Sequence, residues 1–459
     1  MATIRKRGNT YQIRVSLGYD VFGNQLTKTM TFKPLPNMTE KQLKKELDRQ
    51  AVLFEEKCRT GQIMNGNIKL ADFIEKWFED YANKHLRPKT IALYKSVLGR
   101  VIPALGHLHI DKIQPHHLLE FYNNLSESGI RQDTKYKPVK NFRELLQEKE
   151  LTQKALAEKA NVSVNTVASC VAGKTISRQT AERILKILPG SLQEVENNAP
   201  LAQKTIQHHH RFLSAVLNTA VTWQMIPYNP CSRVKSPKVD RKEAVYLDEM
   251  QAAELINALD SEPLRYKTIV MLLLYSGMRR GELCGLEWSD VDFDRNLISI
   301  SKSRLYLPEL GVYNDTTKNK SSERVIRIPQ AMTELLKEYK TFQIAERLKL
   351  GDQWHENNNI FKGVDGRPIH PDVISSWFHK FIVKNNLPAI SIHSLRHTNA
   401  TLLIASGTNI RTVANRLGHS TPTTTGNIYA HAIKTADEAA ADALNDILNP
   451  MQKKQKINA

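Results

Sequence analysis

Four short stretches in the second half of the chain carry residues suited to handling an anion. "GMRRGEL" supplies Arg279, "TTKNKSSERVIRIP" supplies Lys318, "HSLRHTNA" supplies His393 and Arg396, and "LGHSTPTTTGNIYAH" supplies His419 and Tyr429. Two arginines present planar forks of donors that stay charged, able to hold both nonbridging oxygens of a phosphodiester and offset charge building there. A phenol with a free pKa of about 10 is a poor nucleophile unless its proton is drawn off or nearby cations favour its anion. Histidine suits a general base or a phosphate hydrogen-bond donor, and lysine on a turn suits protonation of a departing oxygen. Taken singly, each residue has an ordinary explanation. Arg279 can pair with Glu282 on a helix face, Lys318 can be a solvated turn residue, and His393 with Arg396 a helix-surface pair. His419 can end a helix, and Tyr429 can be a packed aromatic.

Composition bounds the frame that must position them. A chain of 459 residues exceeds one ordinary core, so two to four domains are expected. The 65 Lys+Arg against 47 Asp+Glu leave a net charge of +18 and point to a polyanionic partner. There is no apolar run of about 18 residues and no signal peptide at "MATIRKRGNTYQ", so a cytoplasmic protein rather than a membrane-bound one is expected. Cys58, Cys170, Cys231 and Cys284 form no C-x-x-C pair, which excludes a disulfide framework or zinc knuckle and leaves reduced thiols.

Along the chain, "TYQIRVSL" and "QLTKTMTF" alternate around the turn "VFGN" and predict a basic hairpin, followed by a helix over 39–58. Such a sheet can enter a DNA groove. From Leu70 the pattern is helical, with Pro88 placed to open a helix, and the same style resumes at "LAQKTIQHHHRFLSAVLNTAVTWQMI". Consecutive helical residues point about 100° apart, so His208, His209 and His210 are expected on a DNA-facing or solvated helix rather than around one metal ion. Beyond Arg241 the chain reads as helices with short strands at "LISIS" and "ERVIRIP", and the tyrosine segment, with Gly426 inside it, is expected to be loosely held.

Residues 140–190 differ from their surroundings. "LTQKALAEKANVSVNTVASCVAGK" has Thr152 and Ser163 as helix N-caps, a small Ala157, and Asn161 at a turn. It resembles the helix-turn-helix of phage-repressor-type DNA-binding domains. On the second helix only Asn165 is suited to a bidentate base contact, so DNA contact and protein docking both stand as readings.

Jointly, the ordered set Arg, Lys on a β-turn, H-x-x-R, L-G-H and Tyr-x-His resembles the tyrosine recombinase (phage integrase) family. All six signature positions match: Arg279, Lys318, His393, Arg396, His419 and Tyr429. "SGMRRGEL" with the following "LEW" also resembles the family's first arginine box. The resemblance implies a multidomain α+β fold. A small N-terminal sheet-plus-helix arm-binding domain would span 1–65. An all-helical core-binding domain would span 66–238, interrupted by the repressor-like insert at 140–190, with the helices on either side still packing together. A mostly helical catalytic domain with a small antiparallel sheet would span 239–459.

It further implies that Tyr429 attacks the phosphorus while Arg279 and Arg396 clamp the phosphate. His393 would act as base or phosphate donor, Lys318 would protonate the leaving oxygen, and His419 would add a donor. A phosphotyrosyl link conserves the bond energy, so no nucleotide, metal or other cofactor is expected. The implied partners are double-stranded DNA attachment sites and three further copies in a tetramer, with "TADEAAADALNDILNP" as the contact exchanged between protomers. A directionality factor or host DNA-bending protein would be a further partner. A non-enzymatic DNA-binding regulator and a tyrosyl enzyme that only relaxes DNA are the alternatives.

Overall fold

Alternation in the amino-terminal segment produces a three-stranded antiparallel sheet, β1 (Thr3–Arg7), β2 (Thr10–Tyr19) and β3 (Gln25–Phe32), followed by α1 (Glu40–Arg59). Ile13 and Val15 on one face of β2 are buried with Ala51 and Phe54 of α1, which is how the amphipathic helix and the sheet exclude water together. The expected hairpin thus gains a strand, β1, whose side chains are exposed throughout and which carries no alternating signal. This computed structural model describes residues 2–19, 23–36, 38–59, 67–131, 135–139, 141–195, 199–240, 244–316 and 323–429, with positions 444 and 448. The two compact units are residues 1–240 and 241–459.

Next come α2 (Leu70–Trp77), a π-helical turn at Phe78–Ala82, α3 (Asn83–His85), α4 (Pro88–Leu105) and α5 (Pro115–Leu125). Pro88 and Pro115 each sit in the first turn of their helix, where no backbone N–H is needed. The chain then enters β4 (Lys135–Pro138), α6 (Phe142–Glu148), α7 (Gln153–Lys159), α8 (Val164–Val171), β5 (Ile176–Ser177), α9 (Arg178–Leu185) and β6 (Leu192–Val195). The caps are as the residue types require. Thr152 Oγ1 accepts from the Ala155 N–H at 3.1 Å, Ser163 Oγ accepts from the Thr166 N–H at 3.1 Å, and Asn161 takes a left-handed φ of 49°.

Sheet order β5-β4-β6 closes this insert upon itself, and it has its own core around Leu156, Val167, Cys170 and Ile184. The sheet draws in residues 135–138 and 192–195, outside the helical signature. On α8, Asn165 is exposed while Ser169 Oγ donates back to the Asn165 carbonyl at 2.9 Å.

After the insert, α10 (Gln203–Thr222) returns to the core of α2, α4 and α5. Phe212, Leu213, Val216 and Leu217 are buried with Phe73, Trp77, Val101 and Leu118, and Trp77 Nε1 donates to Thr219 Oγ1 at 2.8 Å across 142 residues. The helices flanking the insert therefore form one packed body.

The second unit comprises α11 (Glu249–Ala258), α12 (Leu264–Ser276), α13 (Arg280–Gly285), β7 (Val291–Asp292), β8 (Leu297–Ile300), β9 (Lys302–Leu307), β10 (Gly311–Thr316) and β11 (Arg324–Arg327). It continues with α14 (Gln330–Leu350), α15 (Pro371–Lys384), α16 (Ser394–Ala405), α17 (Ile410–Leu417) and α18 (Pro422–Ile428). The sheet is antiparallel, order β11-β8-β7, with β9 and β10 as a separate hairpin. Its main core joins Leu273, Leu283, Ile298, Ile326, Leu336 and Phe378, among others.

The stretch "EPLRYKTIVMLLLYSGMRRGELCGLEW", expected to be helical, breaks in two. Gly277 closes α12 at φ 63°, and a Cβ there would lie 2.6 Å from Asn399 Oδ1 and 2.7 Å from Leu417 Cδ2, so only glycine fits this turn. The C-terminal segment "TADEAAADALNDILNP" and the tail after it lie outside the described residues, apart from Leu444 and Leu448.

Candidate active site

The break at Gly277 puts Arg279 at the N-cap of α13 instead of on a helix face. Glu282, one turn on, is buried. It accepts from the Arg279 backbone N–H at 2.9 Å and from Arg279 Nη1 at 2.7 Å. From β11, Arg324 Nη2 donates to Glu282 Oε2, the oxygen that also accepts from the Arg279 backbone, at 2.8 Å. Burial pushes the Glu282 carboxyl upward, but hydrogen bonding and charge from Arg324, then Arg279, outweigh it and hold the carboxyl below its ordinary value. One carboxylate thus anchors two guanidiniums. Arg324 is nearly enclosed at 6 % side-chain exposure, whereas Arg279 keeps 40 % open.

Arg396 enters from the first turn of α16. Its Nη1 donates to the Gly277 carbonyl at 2.8 Å, while its Nη2 is buried with no hydrogen-bond partner among the described residues. Burial, then the charge of Arg279, lowers its pKa to about 9. Asn399, one turn along α16, donates to the Leu274 and Tyr275 carbonyls at 2.8 and 3.2 Å, fixing α16 against the end of α12. Arg416 at the end of α17 donates to the Tyr275 carbonyl at 2.7 Å, and its own carbonyl accepts from Arg324 Nε at 2.6 Å. Among the described residues, Arg279, Arg324, Arg396 and Arg416 gather around the one carboxylate of Glu282, so the neighbourhood favours an anion.

The other expected residues gather around the same helix. His393 precedes α16 and is exposed, its ring edge-on to His397 at 4.9 Å between centroids. His419 follows the left-handed Gly418 that ends α17, and its Nδ1 lies 2.8 Å from Thr425 Oγ1. Burial, then Arg396, Arg279 and Arg324, lower the His419 pKa to about 4. Tyr429 caps α18 and its ring is 1 % exposed, packed with Ala400, Ile404, Val413 and Leu417. Its hydroxyl lies 2.9 Å from His397 Nδ1. Burial raises the phenol pKa to about 12, opposed by the charge of Arg396.

The structure therefore brings Arg279, His393, Arg396, His419 and Tyr429 into one neighbourhood. Lys318 lies outside the described residues, between β10 and β11. The tyrosine segment, expected to be loosely held, forms the short helix α18. Gly426 sits where a Cβ would only touch Ile410 Cδ1 at 3.6 Å, and the apolar cluster seats the ring beyond it.

Five contributors escaped sequence reasoning as site residues: Glu282, Arg324, His397, Asn399 and Arg416. His397 and Glu282 carried a signal, since each stands one helical turn from an expected site residue; Arg324 had none, because only the folded sheet brings it near. The run His208–His210 diverges. His209 is buried beside Phe121 with Nδ1 2.8 Å from the Thr205 carbonyl oxygen, and His210 Nδ1 lies 3.0 Å from Tyr122 Oη. The middle histidine is thus a core residue, not one facing DNA or solvent. Among the described residues no group of three His, Cys, Asp or Glu side chains is placed to hold a metal ion. None of the described helices is long and apolar enough to cross a membrane.

Known proteins share sequence and fold with this chain. The phage integrase family profile matches residues 245–435, and the phage integrase N-terminal SAM-like domain matches residues 69–126. A helix-turn-helix profile matches residues 142–195. The chain is 30 % identical over 275 residues to a tyrosine recombinase of Thermosipho africanus, covering 59 % of this chain and 85 % of that protein. It is 29 % identical over 248 residues to the ICEBs1 integrase of Bacillus subtilis, covering 54 % of this chain and 67 % of that one. The Tn1549 transposon integrase, solved in complex with transposon right end DNA, shares the fold. Its TM-score is 0.55 at 21 % identity, over 82 % of this chain and 100 % of the other.

The chain belongs to the tyrosine recombinase, or phage integrase, family. It is a site-specific DNA recombinase carrying a helix-turn-helix insert; neither a purely regulatory protein nor a relaxing enzyme is favoured.

Proposed function

We propose that this recombinase integrates and excises a mobile element, acting as a tetramer on two double-stranded DNA attachment sites in the cytoplasm. The observation that carries the reading is the buried Arg396 Nη2, a charged donor with no partner among the described residues, on a guanidinium whose charge reaches the Tyr429 phenol. An unpaired buried guanidinium donor is costly, and a phosphodiester oxygen offsets that cost in the state where catalysis occurs. Arg279, partly open and steered by Glu282, supplies the second fork.

The Tyr429 oxygen attacks phosphorus as its proton passes to a neighbouring histidine, the bond from phosphorus to the departing DNA oxygen breaks, and that oxygen takes a proton from Lys318. His419 and His393 donate to phosphoryl oxygens. A hydroxyl from a second strand then reverses the step on a new partner without external energy. The arm domain and the core-binding domain hold DNA through phosphate contacts, and a directionality factor or a host DNA-bending protein sets the direction. Neutralising about eight phosphates gives a log–log salt slope of about −7.

The test is incubation with a nicked duplex carrying the element's own attachment site, followed by denaturing electrophoresis. A protein–DNA band is expected from the wild type and none from Tyr429→Phe; an undiminished band from that variant overturns the assignment.

A further inference from the structure

We propose that His397, not His393, is the base that takes the proton of the Tyr429 hydroxyl. The proposal rests on the reading of Tyr429 as nucleophile and adds a catalytic residue to it, because His397 touches the reacting oxygen itself.

Position in the fold makes the contact. Successive residues on a helix diverge by about 100°, so Arg396 is aimed at the Gly277 carbonyl while His397 is aimed at the C-terminal end of α18. There its Nδ1 stands 2.9 Å from Tyr429 Oη, inside the reach a general base needs. His393 is one turn earlier, exposed, and meets the edge of the His397 ring rather than the phenol. His419 is engaged with Thr425.

Protonation states agree with the geometry. Burial, then the charges of His393 and Arg396, hold His397 at a pKa of about 4, so its ring is neutral near pH 7 and one nitrogen is an acceptor. Burial keeps the phenol protonated, near 12. The proposal requires this hydrogen bond to run from the phenol O–H to Nδ1, which places the ring proton on Nε2. In the resting protein the proton stays on oxygen. A phosphodiester seated between Arg279 and Arg396 offsets the positive charge that depresses His397, raising its basicity when the attack needs it. Among the described residues, the titratable and charged groups around His397 are His393 and Arg396 at the start of its own helix, Tyr429 at the end of α18, and His419 beyond α17. In the attack, the Tyr429 oxygen–phosphorus bond forms, the phenol proton passes to His397 Nδ1, and the bond to the leaving DNA oxygen breaks as that oxygen takes a proton from Lys318.

The experiment is single-turnover adduct formation on the nicked duplex, across pH, for the full-length wild type, Tyr429→Phe, His393→Asn and His397→Asn. Asparagine places an amide near Nδ1, keeping a hydrogen bond but unable to take a proton. His397→Asn is expected to slow adduct formation by about 10² to 10³ and to lose the acid limb of the pH–rate profile, whereas His393→Asn keeps that limb. A substrate with sulfur in place of the leaving oxygen needs no acid for departure, so it should not restore His397→Asn.

Near wild-type rates and an intact acid limb in His397→Asn, with Tyr429→Phe inactive, overturn the proposal and leave the nucleophile standing. An active Tyr429→Phe overturns both. Should His397→Asn fail to fold, nitrogen-15 histidine spectra of the wild type decide: the Nε2–H tautomer is expected, and an Nδ1–H tautomer, which cannot accept the proton, overturns the proposal.

Discussion

Two sets of histidines in this protein have opposite fates. His208, His209 and His210 are adjacent in the chain yet end in three environments: one in the core beside Phe121, one against Tyr122, and one partly open. His393, His397 and His419 are spread over 27 positions yet surround one phenol and one pair of arginines. Adjacency on a helix disperses side chains, whereas a spacing of four, or a turn closed by a left-handed glycine such as Gly418, gathers them. Proximity in sequence is a poor guide to shared chemistry; angular register and chain reversal decide it.

That contrast can be broken by substitution. The largest effect is expected from Tyr429→Phe, which removes the attacking oxygen and should abolish the covalent band altogether. Arg396→Gln, which removes the unpaired donor and the hold on Gly277, should lower adduct formation by about 10³, measured with saturating nicked DNA. Glu282→Gln leaves Arg324 buried without its counter-charge and should cost about 3–5 kcal/mol of stability in urea unfolding. His209→Ala should cost about 2 kcal/mol through lost packing, and His208→Ala less than about 0.5 kcal/mol. Both should leave adduct yield per folded molecule unchanged, and a selective loss of activity in either would erase the distinction between the two sets.

Acidification sharpens the same comparison. His397 and His419 have folded pKa values near 4 against an ordinary 6.5, so the unfolded chain binds more protons between those values. Stability is therefore full above about 6.5 and is lost progressively as the pH falls toward 4. His208, His209 and His210 are also lowered, chiefly by burial, and act in the same direction. Thermal melts of the wild type should fall through this window. Replacing His397 by Asn removes one titrating group and should flatten the fall; an unchanged slope would mean that His397 is not held neutral by the site.

Much of the molecule was legible from residue types. Thr152 and Ser163 cap their helices, Pro88 opens one, and Asn161 adopts the left-handed turn, because these are local effects set by the side chain and its nearest backbone. Strand β1 was missed because both its faces are exposed. The break after α12 was missed because the apolar run is helical on both sides. What forces the break is the close approach of Asn399 and Leu417, more than a hundred residues away.

The six residues named from their order alone include five that the fold gathers, with Lys318 outside the described residues. The chain's residues and their spacing determined the charge, the order of the anion-handling groups, the capped helices and the presence of an insert, since each depends on composition or on contacts a few positions apart. Only the tertiary structure decided that Glu282 would bind both Arg279 and Arg324, that Arg396 would keep a buried donor unpaired, and that the phenol would face His397. Those facts depend on where separate helices and a strand meet, and packing, not sequence order, sets that meeting point.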